Sequence, residues 1–330
     1  MTTESPTIRA PRRRLPRVLA WLAATVVLLV AGGSVVWFTP SLFVPLMTRV
    51  AYAALGLETG SVQVQGHAWG YLAAGDSANP PLLMLHGFGT SREAMMTMMP
   101  WFREESRCVA PDLPGFGRHP FHEGQDHHAD WYAAQVIAFA DAMGWRRFDL
   151  LGTSMGGAIA AHVAVLHPDR VGRLVLVAPA GVRAPERNGF MEGIGRGENP
   201  LDITSEADFD RVLGLVFDRP PPVPWQFRAY ATAEAVRTRR ERLKIVESMR
   251  AFLLDGLTEE LPRIRCPTLL VWGRRDRVTD PSMLGVFLDR VPLATGTLID
   301  DAGHVPFSDQ PEWTRRAITA FLKSRSGGGG

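Results

Sequence analysis

The segment Gly152-Thr153-Ser154-Met155-Gly156-Gly157 constrains this chain more than any other part of it. It follows the apolar run 148–151 and opens an alanine-rich amphipathic stretch, a pattern that predicts a strand, a sharp turn and a helix. A serine at such a turn takes a strained backbone conformation, and strand and helix approach so closely that only the smallest residues fit beside it. This is the pattern of a nucleophile elbow. Ser154 is expected to stand exposed at the top of a sheet, with the N-terminus of the next helix aimed at any anion that forms there. A bare Gly-x-Ser-x-Gly carries little weight alone. Here the strand and helix context is present, and acid and histidine candidates follow in the order Ser, Asp, His.

The surrounding pattern alternates. Short runs at 62–64 and 68–72 predict an opening hairpin, and 81–85 a continuous apolar strand. A helix over 92–102, a strand over 107–110, a helix over 130–143, the elbow and a strand over 174–177 follow. Strands alternating with helices imply a mostly parallel sheet covered on both faces. The alternation stops near Gly181 and resumes near Pro267. Between them lie a helical pattern over 209–217, the run Pro220-Pro221-Pro222 and an arginine-rich helix over 230–254. A helical insertion after a core strand reads as a cap over the strand ends. The sheet returns at 268–272 and 296–299, and a helix over 312–322 closes the chain.

At 330 residues, 46% of them hydrophobic, the chain can bury a core of that size. A net charge of +2 and the lack of a basic stripe in its body exclude a general nucleic-acid binder. The positive charge is local: Arg9, Arg12, Arg13, Arg14 and Arg17 precede the uncharged apolar run 18–38, which carries Trp21 and Trp37 near its ends. About 20 such residues span a bilayer as a helix, and interfacial tryptophans suit its ends. The run therefore reads as a membrane anchor with a cytoplasmic N-terminus and the remaining chain on the periplasmic or extracellular side. A cleaved signal peptide with Ala31, Gly32, Gly33 and Ser34 as its cut region is the rival, disfavoured because the apolar run continues to Phe38. The expected organisation is a basic segment 1–17, an anchor 18–38, a juxtamembrane linker 39–60, a core in two parts at 61–181 and 267–325 around a cap at 182–266, and a flexible glycine tail at 326–330.

A serine hydroxyl needs a base within hydrogen-bond reach and an acid to orient that base. His304, in Asp301-Ala302-Gly303-His304-Val305-Pro306 after a predicted strand, is the best base; His86, His162 and His167 have weaker positions. Asp276, in Gly273-Arg274-Arg275-Asp276-Arg277 at the sheet end where Ser154 emerges, is the best acid, with Asp280, Asp300 and Asp301 as fallbacks. Donors for a developing oxyanion are expected from the backbone N–H of Phe88, in His86-Gly87-Phe88-Gly89, and of Met155. No cofactor or metal is called for. Cys108 and Cys266 read as buried, unpaired packing residues without metal-ligand spacing. His119, His122, His127 and His128 read as a solvated loop, Met95, Met96, Met98 and Met99 as core, and Arg237, Arg239, Arg240, Arg242 and Lys244, interleaved with glutamates, as a solvated helix face.

Together, His86-Gly87-Phe88-Gly89, Asp112-Leu113-Pro114-Gly115-Phe116-Gly117, the elbow, Trp272-Gly273-Arg274-Arg275-Asp276 and Gly303-His304 resemble the α/β-hydrolase superfamily from about Ser61 to Lys323. Leu151 to Gly157 and Val177-Ala178-Pro179-Ala180-Gly181, behind an N-terminal anchor, are similar to membrane-anchored monoacylglycerol lipases and related bacterial lipases and esterases. That resemblance implies an α/β-hydrolase fold with a helical cap, preceded by one transmembrane helix. It also implies Ser154, Asp276 and His304 as a triad and Phe88 and Met155 as the oxyanion hole, acting on an apolar ester or lipid. Two alternatives stand beside it: a carbon-carbon bond hydrolase of ring-cleavage products using the same triad, and a non-catalytic binding protein on the same fold.

Overall fold

The computed structural model describes residue 25 and residues 32–186 and 188–324. Its centre is an eight-stranded sheet of β1 (Glu58–Val64), β2 (His67–Ala74), β3 (Pro81–Leu85), β4 (Arg107–Pro111), β5 (Phe148–Thr153), β6 (Val171–Val177), β7 (Thr268–Gly273) and β8 (Ala294–Ile299). The spatial order is β1-β2-β4-β3-β5-β6-β7-β8. β2 runs antiparallel to β1 and β4, and every other pair is parallel. β5 and β7 are buried at every residue, which is why 269–272 reads as an unbroken apolar run rather than as an alternation. The register sets Leu85 beside Gly152, Thr153 beside Val177, and Gly273 beside Ile299. The loops after β3, β5, β7 and β8 therefore leave the sheet along one edge.

At the N-terminal end of the described chain, α1 (Gly32–Phe38) and α2 (Pro40–Leu55) meet at a bend of 97°. Pro40 causes the break: its ring disfavours helical geometry at the preceding residue, and Thr39 is extended at φ −117°, ψ 95°. Residues 18–24 and 26–31 of the expected anchor, and the tail 326–330, lie outside the described residues. Among the described residues no single helix is long and apolar enough to cross a membrane, although this bent pair passes the same test together.

The predicted helix over 92–102 is corrected to a 3-10 turn at Arg92–Met95 and a one-turn α3 (Met99–Phe102). Pro100 would have stood inside that helix, where its ring collides with the preceding turn and its missing N–H breaks the ladder. Met95, Met98 and Met99 are fully buried with Phe102 in the core on one face of the sheet, as expected of core residues. The opposite face is covered by α4 (Ala129–Ala142) and α5 (Met155–Leu166) through Val136, Phe139, Ile159 and Val163.

Between β6 and β7 lie α6 (Gly189–Gly195), α7 (Glu206–Val216), α8 (Trp225–Arg237) and α9 (Arg239–Asp255). The single helix read over 230–254 is two, broken at Thr238, whose hydroxyl donates to the Glu234 carbonyl at 2.8 Å. Such back-bonding by a β-branched residue competes with the helical ladder. The break carries Arg242 inward, where its guanidinium donates to the Ala235 carbonyl, so Arg242 does not belong to the solvated face. Its neighbours Arg237, Arg239 and Lys244 do pair at the surface, with Glu234, Asp202 and Glu123. α10 (Met283–Arg290), α11 (Pro306–Asp309) and α12 (Pro311–Lys323) complete the chain.

The histidine loop is solvated only in part: residues 123–126 and His128 are exposed. His119 and His127 are buried, and the rings of His67, His119, His122, His127, Phe121 and Trp131 pack into one aromatic cluster. Apolar ring faces gain more from that packing than the polar loop composition suggested.

Candidate active site

Ser154 joins β5 to α5 at φ 54°, ψ −120°, a conformation that only strong local restraint holds in a non-glycine residue. Part of the restraint is the Ser154 N–H bond to the Val177 carbonyl at 3.0 Å. The glycines supply the rest. A Cβ at Gly152 would lie 2.3 Å from the Gly156 carbonyl oxygen, so β5 and α5 touch through bare backbone. The Ser154 hydroxyl bonds to no protein group among the described residues and borders a cavity beneath the cap.

Asp276 follows β7 and His304 follows β8. Asp276 Oδ2 lies 2.8 Å from His304 Nδ1. Asp276 Oδ1 accepts the N–H groups of Val278 and Thr279 at 2.8 and 3.1 Å, while Oδ2 also accepts the Thr279 hydroxyl at 2.9 Å. The carboxylate is thus fully engaged although buried, which burial of a charge requires. With Nδ1 turned to the carboxylate, Nε2 of His304 is the ring nitrogen left to act as a base. Thr279 belongs to no motif in the sequence; its only signal is a position three residues after Asp276, where a turn folds it back.

The other candidates are occupied elsewhere. Asp300 pairs with Arg274 and Asp301 with Arg275, while Asp280 accepts the Ser282 N–H at 2.9 Å. His162 pairs with Asp130 at 2.6 Å. His86 is fully buried, its Nδ1–H donating to the Gly87 carbonyl at 2.9 Å and its Nε2 accepting the Leu113 N–H at 3.0 Å. Burial holds His86 below the ordinary imidazole range and pushes neighbouring Asp112 above the carboxylate range. Asp112 accepts the backbone N–H groups of Arg92 and Arg118 at 2.9 and 3.1 Å. This network fixes the loop that carries Phe88 against the loop at 112–118. Burial likewise pushes the Cys108 thiol to about 12 and Cys266 to about 11, consistent with inert packing residues.

Phe88 and Met155 border the same cavity as Ser154. Met155 is the first residue of α5, where a helix leaves its N–H groups unpaired, and the helix dipole adds positive potential at that point. Above them the wall is apolar and comes from the cap, chiefly Phe190, Ile194, Leu201 and Leu254. The cavity holds about 50 Å³. That is far below the roughly 300 Å³ or more that a drug-sized ligand occupies. A wider depression of about 650 Å³ lies between the loop 121–127 and α9, but no proposed catalytic residue borders it.

A family model described as the alpha/beta hydrolase fold matches residues 80–311. Lipase 3 of Moraxella sp. (strain TA144) is 30% identical over 242 residues, covering 73% of this chain and 76% of the relative. Monoacylglycerol lipase abhd6-B of Xenopus laevis is 27% identical over 326 residues, covering 90% of this chain and 94% of the relative. Among solved structures, a membrane phospholipase A described as a bacterial virulence factor superposes with a TM-score of 0.83 at 36% identity, covering 92% of this chain and 97% of that one.

Proposed function

The chain belongs to the α/β-hydrolase fold family, and from that premise we propose that it is a serine hydrolase of the lipase and esterase type. Ser154 is the nucleophile, His304 the general base, and Asp276 the acid that orients it. The observation that carries this reading is the buried Asp276–His304 contact at 2.8 Å, formed on the sheet edge where the strained Ser154 turn also emerges. Lipases and a phospholipase among the relatives support ester substrates.

In the proposed reaction Ser154 Oγ attacks the ester carbonyl carbon as His304 Nε2 takes the hydroxyl proton. Asp276 keeps the imidazole in the required tautomer and stabilises the imidazolium. The oxyanion gathers the N–H groups of Phe88 and Met155, each such donor stabilising it by about 3 kcal/mol. The imidazolium returns its proton to the departing alkoxide, leaving an acyl-enzyme on Ser154. Water, deprotonated by His304, then releases the acid.

The apolar wall suits an acyl chain, and the narrow cavity requires the cap helices to shift before such a chain enters. Membrane association through residues 18–38, with the catalytic domain outside the cytoplasm, is part of the same reading. Support comes from Val35, Trp37 and Phe38, apolar side chains that face solvent in the described part of that segment. The core spans 61–181 and 267–325, and the cap 182–266. The test is Ser154→Ala against p-nitrophenyl esters and monoacylglycerols of graded chain length: loss of hydrolysis and of fluorophosphonate labelling in a folded variant is expected, and wild-type turnover would remove Ser154 from its role.

A further inference from the structure

The end of α7 is bonded directly to both loops that carry the proposed acid and base. The Val216 carbonyl accepts the His304 N–H at 2.8 Å. Two residues on, the Asp218 N–H donates to Asp309 Oδ2 at 3.0 Å, and the same oxygen accepts the Gly303 N–H at 2.8 Å. The Asp218 carboxylate, only 6% exposed, pairs with Arg275 at 2.9 Å and stands 4.0 Å from Arg277, the two residues flanking Asp276. Arg277 in turn donates to the Gly214 carbonyl at 2.8 Å. Backbone meets backbone here: a Cβ at Gly303 would lie 2.8 Å from the Asp218 nitrogen and 2.9 Å from the Val216 oxygen.

We propose that Asp309 is a positioning residue that clamps the end of cap helix α7 onto the His304 loop, so that the base is aligned only while this part of the cap is seated. The inference rests on His304 being the base. One carboxylate oxygen joins an N–H of the cap to an N–H of the residue before His304. The cap is therefore not a lid that swings as one body. α7 is its fixed post, and the widening that admits an acyl chain falls to α6 and α9, which form the apolar wall above Ser154.

The test measures kcat, KM and melting temperature for p-nitrophenyl butyrate with full-length Asp309→Leu, Asp309→Asn, Gly303→Ala and Ser154→Ala. Losing two backbone bonds at the base should lower kcat of Asp309→Leu by about 10- to 100-fold with little change in KM. Asparagine keeps one acceptor oxygen and should recover about ten-fold of that loss. Gly303→Ala wedges a methyl between cap and loop without touching a charge, and should reproduce the kcat defect. Near wild-type kcat in Asp309→Leu and Gly303→Ala, with Ser154→Ala inactive, overturns the clamp alone. So does an Asp309→Asn variant as impaired as Asp309→Leu. Wild-type turnover by Ser154→Ala overturns the serine-hydrolase reading and the clamp with it.

Discussion

The carbonyl oxygen of His86 lies where a side chain on Gly156 would have to go: a Cβ there would sit 2.3 Å away. The elbow helix and the loop that carries Phe88 are thus held together at a distance only glycine permits. Gly156→Ala should force them apart, and since overpacking a tight interior costs about 1–3 kcal/mol or more, the variant should melt lower and lose ester turnover together. A melting curve and activity matching wild type would show that this contact is not essential.

The Thr279 hydroxyl lies 2.9 Å from Asp276 Oδ2 and 3.2 Å from the Ala178 carbonyl, and its single proton serves the nearer, charged acceptor. Thr279→Val keeps the shape and removes the donor. A hydrogen bond to a charged group is worth about 1.5–3 kcal/mol, so kcat should fall by about ten-fold or more while the fold persists. Unchanged kcat in a folded variant would mean that the two backbone N–H groups alone hold Asp276.

Stability should depend on pH through the aromatic histidine cluster. Burial holds His119 down to about 4, against 6.5 for a free imidazole, and its Nε2 has no hydrogen-bond partner among the described residues. Between those values the unfolded chain binds a proton that the folded chain does not, so this contribution is complete above pH 6.5 and is lost as pH falls toward 4. Burial lowers His122 and His127 in the same direction. The melting temperature should therefore drop between pH 7 and pH 5, and His119→Gln should flatten that slope. Equal slopes in both proteins would exclude His119 as a contributor.

A chain starting at Gly32 should leave the membrane fraction yet keep its turnover of short soluble esters. The contacts of α1 and α2 with the cap survive that cut: Trp37 packs edge-on against Phe43, and Phe43 against Phe227, at centroid separations of 5.3 and 6.1 Å. Fractionation with carbonate washing checks this. If the shortened protein stays in the washed membranes, the segment before Gly32 is not the anchor.

Much of this architecture was legible in the order of residues because the signals are local. Continuous apolar runs marked the parallel strands, since burial on both faces removes alternation. The glycines around Ser154 marked the elbow, since close backbone approach admits nothing larger. Two elements differ from the sequence pattern for local reasons: Pro100 interrupts the predicted helix over 92–102, and Thr238 splits the one over 230–254.

What the sequence determined by itself was the alternation of strands and helices, the turn that strains Ser154, and the residue types able to serve as acid and base. Only the tertiary structure sets Asp276 apart from Asp280, Asp300 and Asp301, because parallel registry brings the ends of β7 and β8 side by side and leaves its carboxylate facing His304 Nδ1. It alone puts Thr279 against Asp276 and Asp309 between the end of α7 and the His304 loop. Those contacts join segments far apart in the chain, and no spacing or periodicity encodes a hydrogen bond that forms only when separate loops meet at one sheet edge.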